Sequence, residues 1–313
     1  MDSLYKELRK FGKVKANAPL SRCSTFRIGG PAQFLVEVDN NDNLISLLNF
    51  LSGEGVNFII LGGGSNFLFS DEGFAGVVIK IKSAEIKVED ETIVCEGGTM
   101  LGAVVSLAGQ NSLSGLEWAA GIPGTVGGAV RGNAGAMGQD ASGSVNKVEI
   151  WRSGEVLTIP KKECDFEYRE SIFKKNHQDV ILRVRFKLAK GDQKEIMLEM
   201  QKHIVARQGK FPAYPSPGSF FKNIRIEDWP GDRKLLPPIF VERGKVPAAY
   251  VIEQAGMKGY AVGGAKISDE HANFVINYDK ATQADVLAVV EKVKEAVYNK
   301  FGVELEPEVE IIS

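Results

Sequence analysis

Apolar residues recur along this chain with two alternating periods. Leu44, Leu47, Leu48 and Leu51 stand at helical spacing behind the polar run Asp39 to Asp42, which offers several N-cap candidates, and the "GEG" at 53–55 ends the helix. "VNFIILGGGSN" follows as a buried strand running into glycine, and "GVVIKI", "IKV" and "TIVCEG" read as short strands. Beyond a glycine-rich stretch from Gly115 to Gly143, "KVEIW", "EVLTI" and "VILRVRFKLA" continue the sheet pattern. Asp192 and Glu195 have the spacing of an N-cap and its N3 partner, opening a helix with Ile196, Met200 and Ile204 on one face that ends near Gly209. The proline-rich segment 212–217 reads as a domain boundary. A last helix starts at Thr282, with Asp285 three residues on and Val286, Val290, Val293 and Val297 as its stripe. In "VELEPEVEII" the alternation predicts a strand with Val303, Leu305, Val309 and Ile311 on one face and Glu304, Glu306, Glu308 and Glu310 on the other.

Length and composition narrow the class. At 313 residues the chain suggests two or three domains. A net charge of −2 with 44% hydrophobic residues gives no basic excess for nucleic acid and no polar tract for disorder, so small-molecule chemistry is the better expectation. Cys23, Cys95 and Cys164 lie far apart and odd in number, which indicates neither a disulfide framework nor a thiolate metal site. The three histidines, His177, His203 and His271, show no metal-ligand spacing, so no metal is expected. The charged N-terminus lacks an apolar signal core, and no run reaches the ~18 apolar residues of a membrane span; the expectation is a cytoplasmic protein without a membrane or an obligatory protein partner.

Gly62-Gly63-Gly64-Ser65-Asn66 directly follows a strand, and by itself fits a tight turn or an anion cradle equally well. "GLEWAAGIPGTVGGAVRGNAGAMG" shifts the balance, because glycine weakens a core element by ~0.5–1 kcal/mol per position relative to alanine. GxGxxG, GxxxxGK[ST] and GxSxG are all missing, which argues against a Rossmann cofactor site, a P-loop and an α/β-hydrolase.

"PLSRCSTFRIGGPAQFLV", "LGGGSNFLFSDEGFAGVVI", the glycine stretch above, "YRESIFK", "GSFFKN", "KGYAVGGAKISDEHANFVIN" and "FGVELEPEV" resemble, in order and at suitable spacing, the signatures of the UDP-N-acetylenolpyruvoylglucosamine reductase (MurB) family. The resemblance runs from about residue 19 to the end. It implies an α+β fold of the vanillyl-alcohol-oxidase/PCMH type: two FAD-binding subdomains at 1–70 (joined by the C-terminal strand 303–313) and 71–206, and a smaller α/β substrate-binding domain at 207–302. It further implies an FAD flavoenzyme, a UDP-N-acetylmuramate dehydrogenase using NADPH to reduce an enolpyruvyl UDP-sugar to a lactyl ether in peptidoglycan synthesis. Between "YRESIFK" and the next helix only residues about 179–189 intervene, as in the shorter, loop-lacking members.

Carried over by residue, the resemblance implies that Gly62, Gly63, Gly64, Ser65 and Asn66 surround the cofactor together with Ala120, Gly121, Pro123, Gly124, Gly127 and Gly128. Thr25, Arg27, Ile28, Gly29 and Gly30 would line the cofactor cleft, and Asn223 and Lys258 would contact the UDP-sugar. The reaction needs a clamp for an enolate-like carboxylate and an acid for the carbon. Arg169 matches the family's clamping arginine, whose planar guanidinium holds a carboxylate bidentately. Glu308 matches its glutamate partner; on residue pattern alone, Glu306 serves as well. Ser219 matches the serine that gives the proton, and its flanking prolines and phenylalanines are expected to keep it dry. Three departures from the family pattern stand out, Glu310 in place of an arginine, Ser216-Pro217 before the glycine and Ile224 after Asn223. His271 reads as a structural hydrogen-bonding residue. The alternative is another flavin oxidoreductase of the same fold with a different substrate; the combination of Arg169, Ser219 and Glu308 argues against it.

Overall fold

The computed structural model describes residues 2–209 and 211–312; Met1, Lys210 and Ser313, which fall within the expected ranges 1–70, 207–302 and 303–313, lie outside the described residues. The chain divides into two compact units, the first comprising 1–18, 32–63 and 75–208 and the second 19–31, 64–74 and 209–313. The boundary runs through the Gly62–Gly64 loop itself.

Two sheets build the first unit. A four-stranded sheet has the order Lys13–Pro19, Pro31–Val38, Phe74–Ile81, Phe58–Leu61, its last two strands parallel. An antiparallel five-stranded sheet has the order Glu155–Pro160, Val145–Arg152, Val180–Lys187, Thr92–Glu96, Ile86–Glu89. The helix Asn41–Gly53 is capped by Asn40, whose side chain accepts from Asn43 N, and buries Leu44, Leu47, Leu48 and Leu51 against Phe34 and Val77. The helix Gln193–Arg207 opens on Asp192, whose carboxylate accepts from the N–H groups of Lys194 and Glu195. Residues 71–206 also hold the helix Leu101–Gln110, a stretch to which the sequence pattern assigned no element; Leu101, Val104, Val105 and Ala108 bury one face of it against Trp118 and Ile93.

In the second unit, a three-stranded antiparallel sheet (Ala261–Val262, Ala265–Ile267, Val275–Asn277) and the helix Gln283–Phe301 share a core with Phe220, Phe221, Phe26 and Val309. Phe67–Phe69 pairs in parallel with Glu310–Ile312. The C-terminal alternation holds only in part. Val303, Leu305 and Val309 are buried, but regular strand begins at Glu310, and Ile311 is 39% exposed. Pro307, with no N–H to give a ladder, meets Phe221 only as an isolated bridge and breaks the strand.

Thr282 and Asp285 form a full capping box on the last helix. A hydrogen bond from the main-chain N–H of Thr282, aided by one from that of Gly264, holds the Asp285 carboxyl below its ordinary 3.8 against the opposing effect of burial. A depressed carboxyl stabilises the fold fully above its unfolded value, and that contribution is lost as pH falls through the lower folded value. Asp285→Asn is therefore expected to lower Tm at neutral pH and to converge with wild type in acid; a Tm difference that stays constant from neutral pH into acid would contradict it.

Candidate active site

Main chain dominates the candidate residues of the first unit. The two glycine loops lie against each other: a methyl group on Gly63 would come within 2.8 Å of Gly124 Cα, and one on Gly62 would collide with Thr125 Oγ1. Gly127 approaches Gly97 in the same way, its N–H donating to Gly97 O at 2.8 Å. Thr125 accepts from Gly128 N at 3.4 Å and starts the short helix Val126–Arg131, which lies within the stretch expected to be a cradle. Gly121, Pro123 and Gly128 are exposed, whereas Ala120 is buried. Paired loops that present backbone rather than side chains fit a phosphate-bearing cofactor such as FAD.

Arg207, at the end of its helix, was hidden in the sequence, where a last-turn cation reads as a complement to the helix dipole. Its Nε donates to Ala120 O and its Nη2 to Trp118 O, both at 2.9 Å, and burial lowers its pKa. It thus fixes the second glycine loop from behind. Arg169 takes a left-handed backbone (φ 61°), a conformation costly for a long side chain. Several bonds hold it there. Its Nη2 donates to Gly135 O at 2.8 Å and its guanidinium lies over Tyr168. Lys174 Nζ donates to Arg169 O at 3.0 Å, Asn133 Nδ2 to Glu167 O at 2.8 Å, and Ser171 Oγ to Arg131 O at 2.6 Å.

The second unit holds candidate residues of its own. Thr25 N donates to Gly64 O at 3.0 Å and its hydroxyl to Ser216 O at 2.8 Å, which ties the start of this unit to the serine segment. Gly64 has φ +66° and packs on Cys23 O, leaving no room for a side chain. Arg27 to Gly30 line an open cleft of about 510 Å³ with Asp71, Pro215, Asn277, Lys280 and Ala281. Arg27, like Arg169, is left-handed (φ 56°).

Ser219 and Glu308 are brought to neighbouring segments. Ser219 pairs as a bridge with Phe274, Phe220 N donates to Asn273 O at 2.7 Å, and Glu308 N donates to Phe220 O at 2.8 Å. Glu306 forms a 2.6 Å ion pair with the nearly buried Lys222. Asn66 is a Glu308 support as much as a loop residue, since its Nδ2 donates to Glu308 O at 3.0 Å and its carbonyl accepts from Glu310 N. One expectation needs correction. Phe220 and Phe221 point into the core, while Ser219 is exposed, so these rings do not keep its hydroxyl dry. Pro217 is buried, and Gly218 (φ +90°) faces open space, needed for its backbone rather than for clearance.

Asn223 accepts from Ala248 N at 3.1 Å and so anchors the start of the helix Ala248–Gln254. Lys258 pairs with Glu253 at 3.0 Å. Burial, aided by the Lys258 charge, holds the His271 imidazole below its ordinary value; its Nδ1 accepts from Asn273 N at 3.3 Å.

An α+β chain with these paired glycine loops is an FAD-binding protein of the vanillyl-alcohol-oxidase/PCMH type, and residues 32–159 match the model of the FAD binding domain. Residues 210–312 match the UDP-N-acetylenolpyruvoylglucosamine reductase C-terminal domain. The chain belongs to the UDP-N-acetylenolpyruvoylglucosamine reductase (MurB) family. It is 39% identical to that reductase of Caldanaerobacter subterraneus over 98% of this chain and 96% of the relative. It is 37% identical to that of Bacillus subtilis over 100% and 99%. The crystal structure of the Thermus caldophilus enzyme superposes with a TM-score of 0.76 at 32% identity, covering 96% of this chain and 98% of that one. Among the described residues no helix is long and apolar enough to cross a membrane.

Proposed function

We propose that this protein reduces the enolpyruvyl ether of UDP-N-acetylglucosamine enolpyruvate to UDP-N-acetylmuramate, with NADPH as reductant, as a cytoplasmic step of peptidoglycan synthesis that requires no protein partner. The redox chemistry would come from bound FAD, as relay of a hydride equivalent from NADPH to the terminal vinyl carbon. The chain's own task is the charge and the proton. Negative charge builds on the carbon bearing the ether oxygen and on its carboxylate. Arg169 is the guanidinium for that carboxylate, and Glu308 is its hydrogen-bonding partner in the stabilisation. The Ser219 hydroxyl gives its proton to the same carbon, completing the lactyl ether, and recovers a proton from solvent.

Gly62 to Asn66, Ala120, Gly121, Pro123, Gly124, Gly127 and Gly128 would hold FAD, with Thr25, Arg27, Ile28 and Gly29 beside it. Asn223 and Lys258 would hold the UDP-sugar. The working division is FAD binding by 1–70 and 71–206 and substrate binding by 207–302. The observation that supports this reading most is the bond from Glu308 N to Phe220 O, which makes the proposed acid and the carboxyl neighbours across two segments.

An anaerobic titration tests the whole. Purified protein should be yellow, bleach with NADPH, and recover its flavin absorbance stoichiometrically on addition of the enolpyruvyl UDP-sugar. A protein that binds no FAD, or whose reduced form ignores that substrate but reacts rapidly with oxygen, defeats the proposal.

A further inference from the structure

The least expected side chain in the second unit is Asn273. It is 3% exposed, yet every polar group it carries is used on the segment that bears Ser219 or on the turn before it. Its Oδ1 accepts from Phe221 N and its Nδ2 donates to Phe221 O, both at 2.9 Å. Its carbonyl accepts from Phe220 N at 2.7 Å, and its own N–H donates to His271 Nδ1 at 3.3 Å. A side-chain amide making two bonds to one residue imitates a strand neighbour. It therefore fixes the Phe220–Phe221 backbone in both translation and tilt, where an ordinary bridge would fix only one contact. On the opposite side the same backbone accepts from Glu308 N and donates, through Lys222 N, to Glu306 O. The Ser219 segment is thus a middle strand held by an amide on one edge and by the glutamate segment on the other.

Support of this kind matters because Ser219 is exposed and follows Gly218, which has a φ of +90° and open surroundings, so that beside the bridge to Phe274 the segment depends on what holds Phe220 and Phe221. We propose that Asn273 is a positioning residue for proton delivery: its amide sets the height of the Ser219 hydroxyl relative to Glu308. The proposal rests on the reading of Ser219 as the proton donor. A hydroxyl acts as an acid only within hydrogen-bond reach of the carbon it protonates, so a displacement of about 1 Å is enough to slow that step about 100-fold.

The test separates the two half-reactions by anaerobic stopped flow on the FAD-loaded full chain. Asn273→Ala is expected to slow flavin reoxidation by the enolpyruvyl UDP-sugar by about 10–100-fold while leaving reduction by NADPH within about twofold. Asn273→Asp, which keeps the acceptor for Phe221 N and loses the donor, should fall between it and wild type, and serves alone if the alanine variant does not fold. In a Ser219→Ala background, Asn273→Asp should add no further slowing. Asn41→Ala removes a buried amide that donates to Leu182 O in the first unit; it should lower Tm without changing the ratio of the half-reactions. Equal slowing of both half-reactions, or full additivity with Ser219→Ala, overturns the positioning role. Unchanged reoxidation in Ser219→Ala alone instead overturns the proton-donor reading beneath it.

Discussion

Ser219→Ala is expected to leave reduction of bound FAD by NADPH unchanged and to slow its reoxidation by the enolpyruvyl UDP-sugar by ~10²–10⁴-fold, the range of a positioned general acid. The asymmetry follows from where the hydroxyl is. Ser219 is exposed, and Phe220 and Phe221 behind it face the core, so nothing of its own segment desolvates it. A solvated serine is far too weak an acid to matter. Only a substrate lying over it, bringing a strongly basic carbon within reach and shutting water out, makes its proton useful. NADPH reduction asks for no proton at that carbon. The backbone of the variant should survive intact, because Ser219 is held by the Phe274 bridge and by the bonds of Phe220 and Phe221, none of which uses the hydroxyl. Slowing of both half-reactions by the same factor would show that the substitution disturbed the cofactor; no slowing of either would remove Ser219 from the chemistry.

Much of the fold was legible because burial and period coincide. The Leu44–Leu51 stripe, the Asp192 cap and the Thr282–Asp285 box are local patterns that packing did not override. The failures have equally local causes. "LGAVVSLAGQ", to which no element was assigned, carries β-branched residues and glycines on a stretch that packs as a helix against Trp118. Pro307 ended an alternation that the side-chain pattern alone would extend to Ile311. At the site, residue types were readable while their duties were not. Glu306 and Glu308 are indistinguishable in sequence. Arg207 and Asn273 work through main-chain carbonyls and amides, contacts that leave no spacing signature.

Gly63→Ala should give a folded protein that purifies colourless, the largest loss of cofactor expected from a single methyl group. The backbone conformation at Gly63 is not among the left-handed ones, so alanine there carries no intrinsic strain. The obstacle is Gly124, whose Cα would stand 2.8 Å from the new carbon. Backbone cannot rotate away as a side chain tip can, so the two loops must separate, and with them the main-chain groups proposed to hold the pyrophosphate together. The loops are surface segments, exposed at Gly63, Gly121 and Gly128, so their separation costs cofactor binding far more than global stability. Gly102→Ala is the matched control. It lies in the helix Leu101–Gln110 with nothing within 4 Å of the added carbon, and there alanine should stabilise by about 0.4–1 kcal/mol and leave FAD content unchanged. Retention of stoichiometric FAD in Gly63→Ala, measured as the flavin-to-protein absorbance ratio, would mean that the contact between the loops is only packing. Loss of FAD with a near-normal Tm would mean that two glycine backbones are held side by side so that neither carries a side chain into the place of the phosphates.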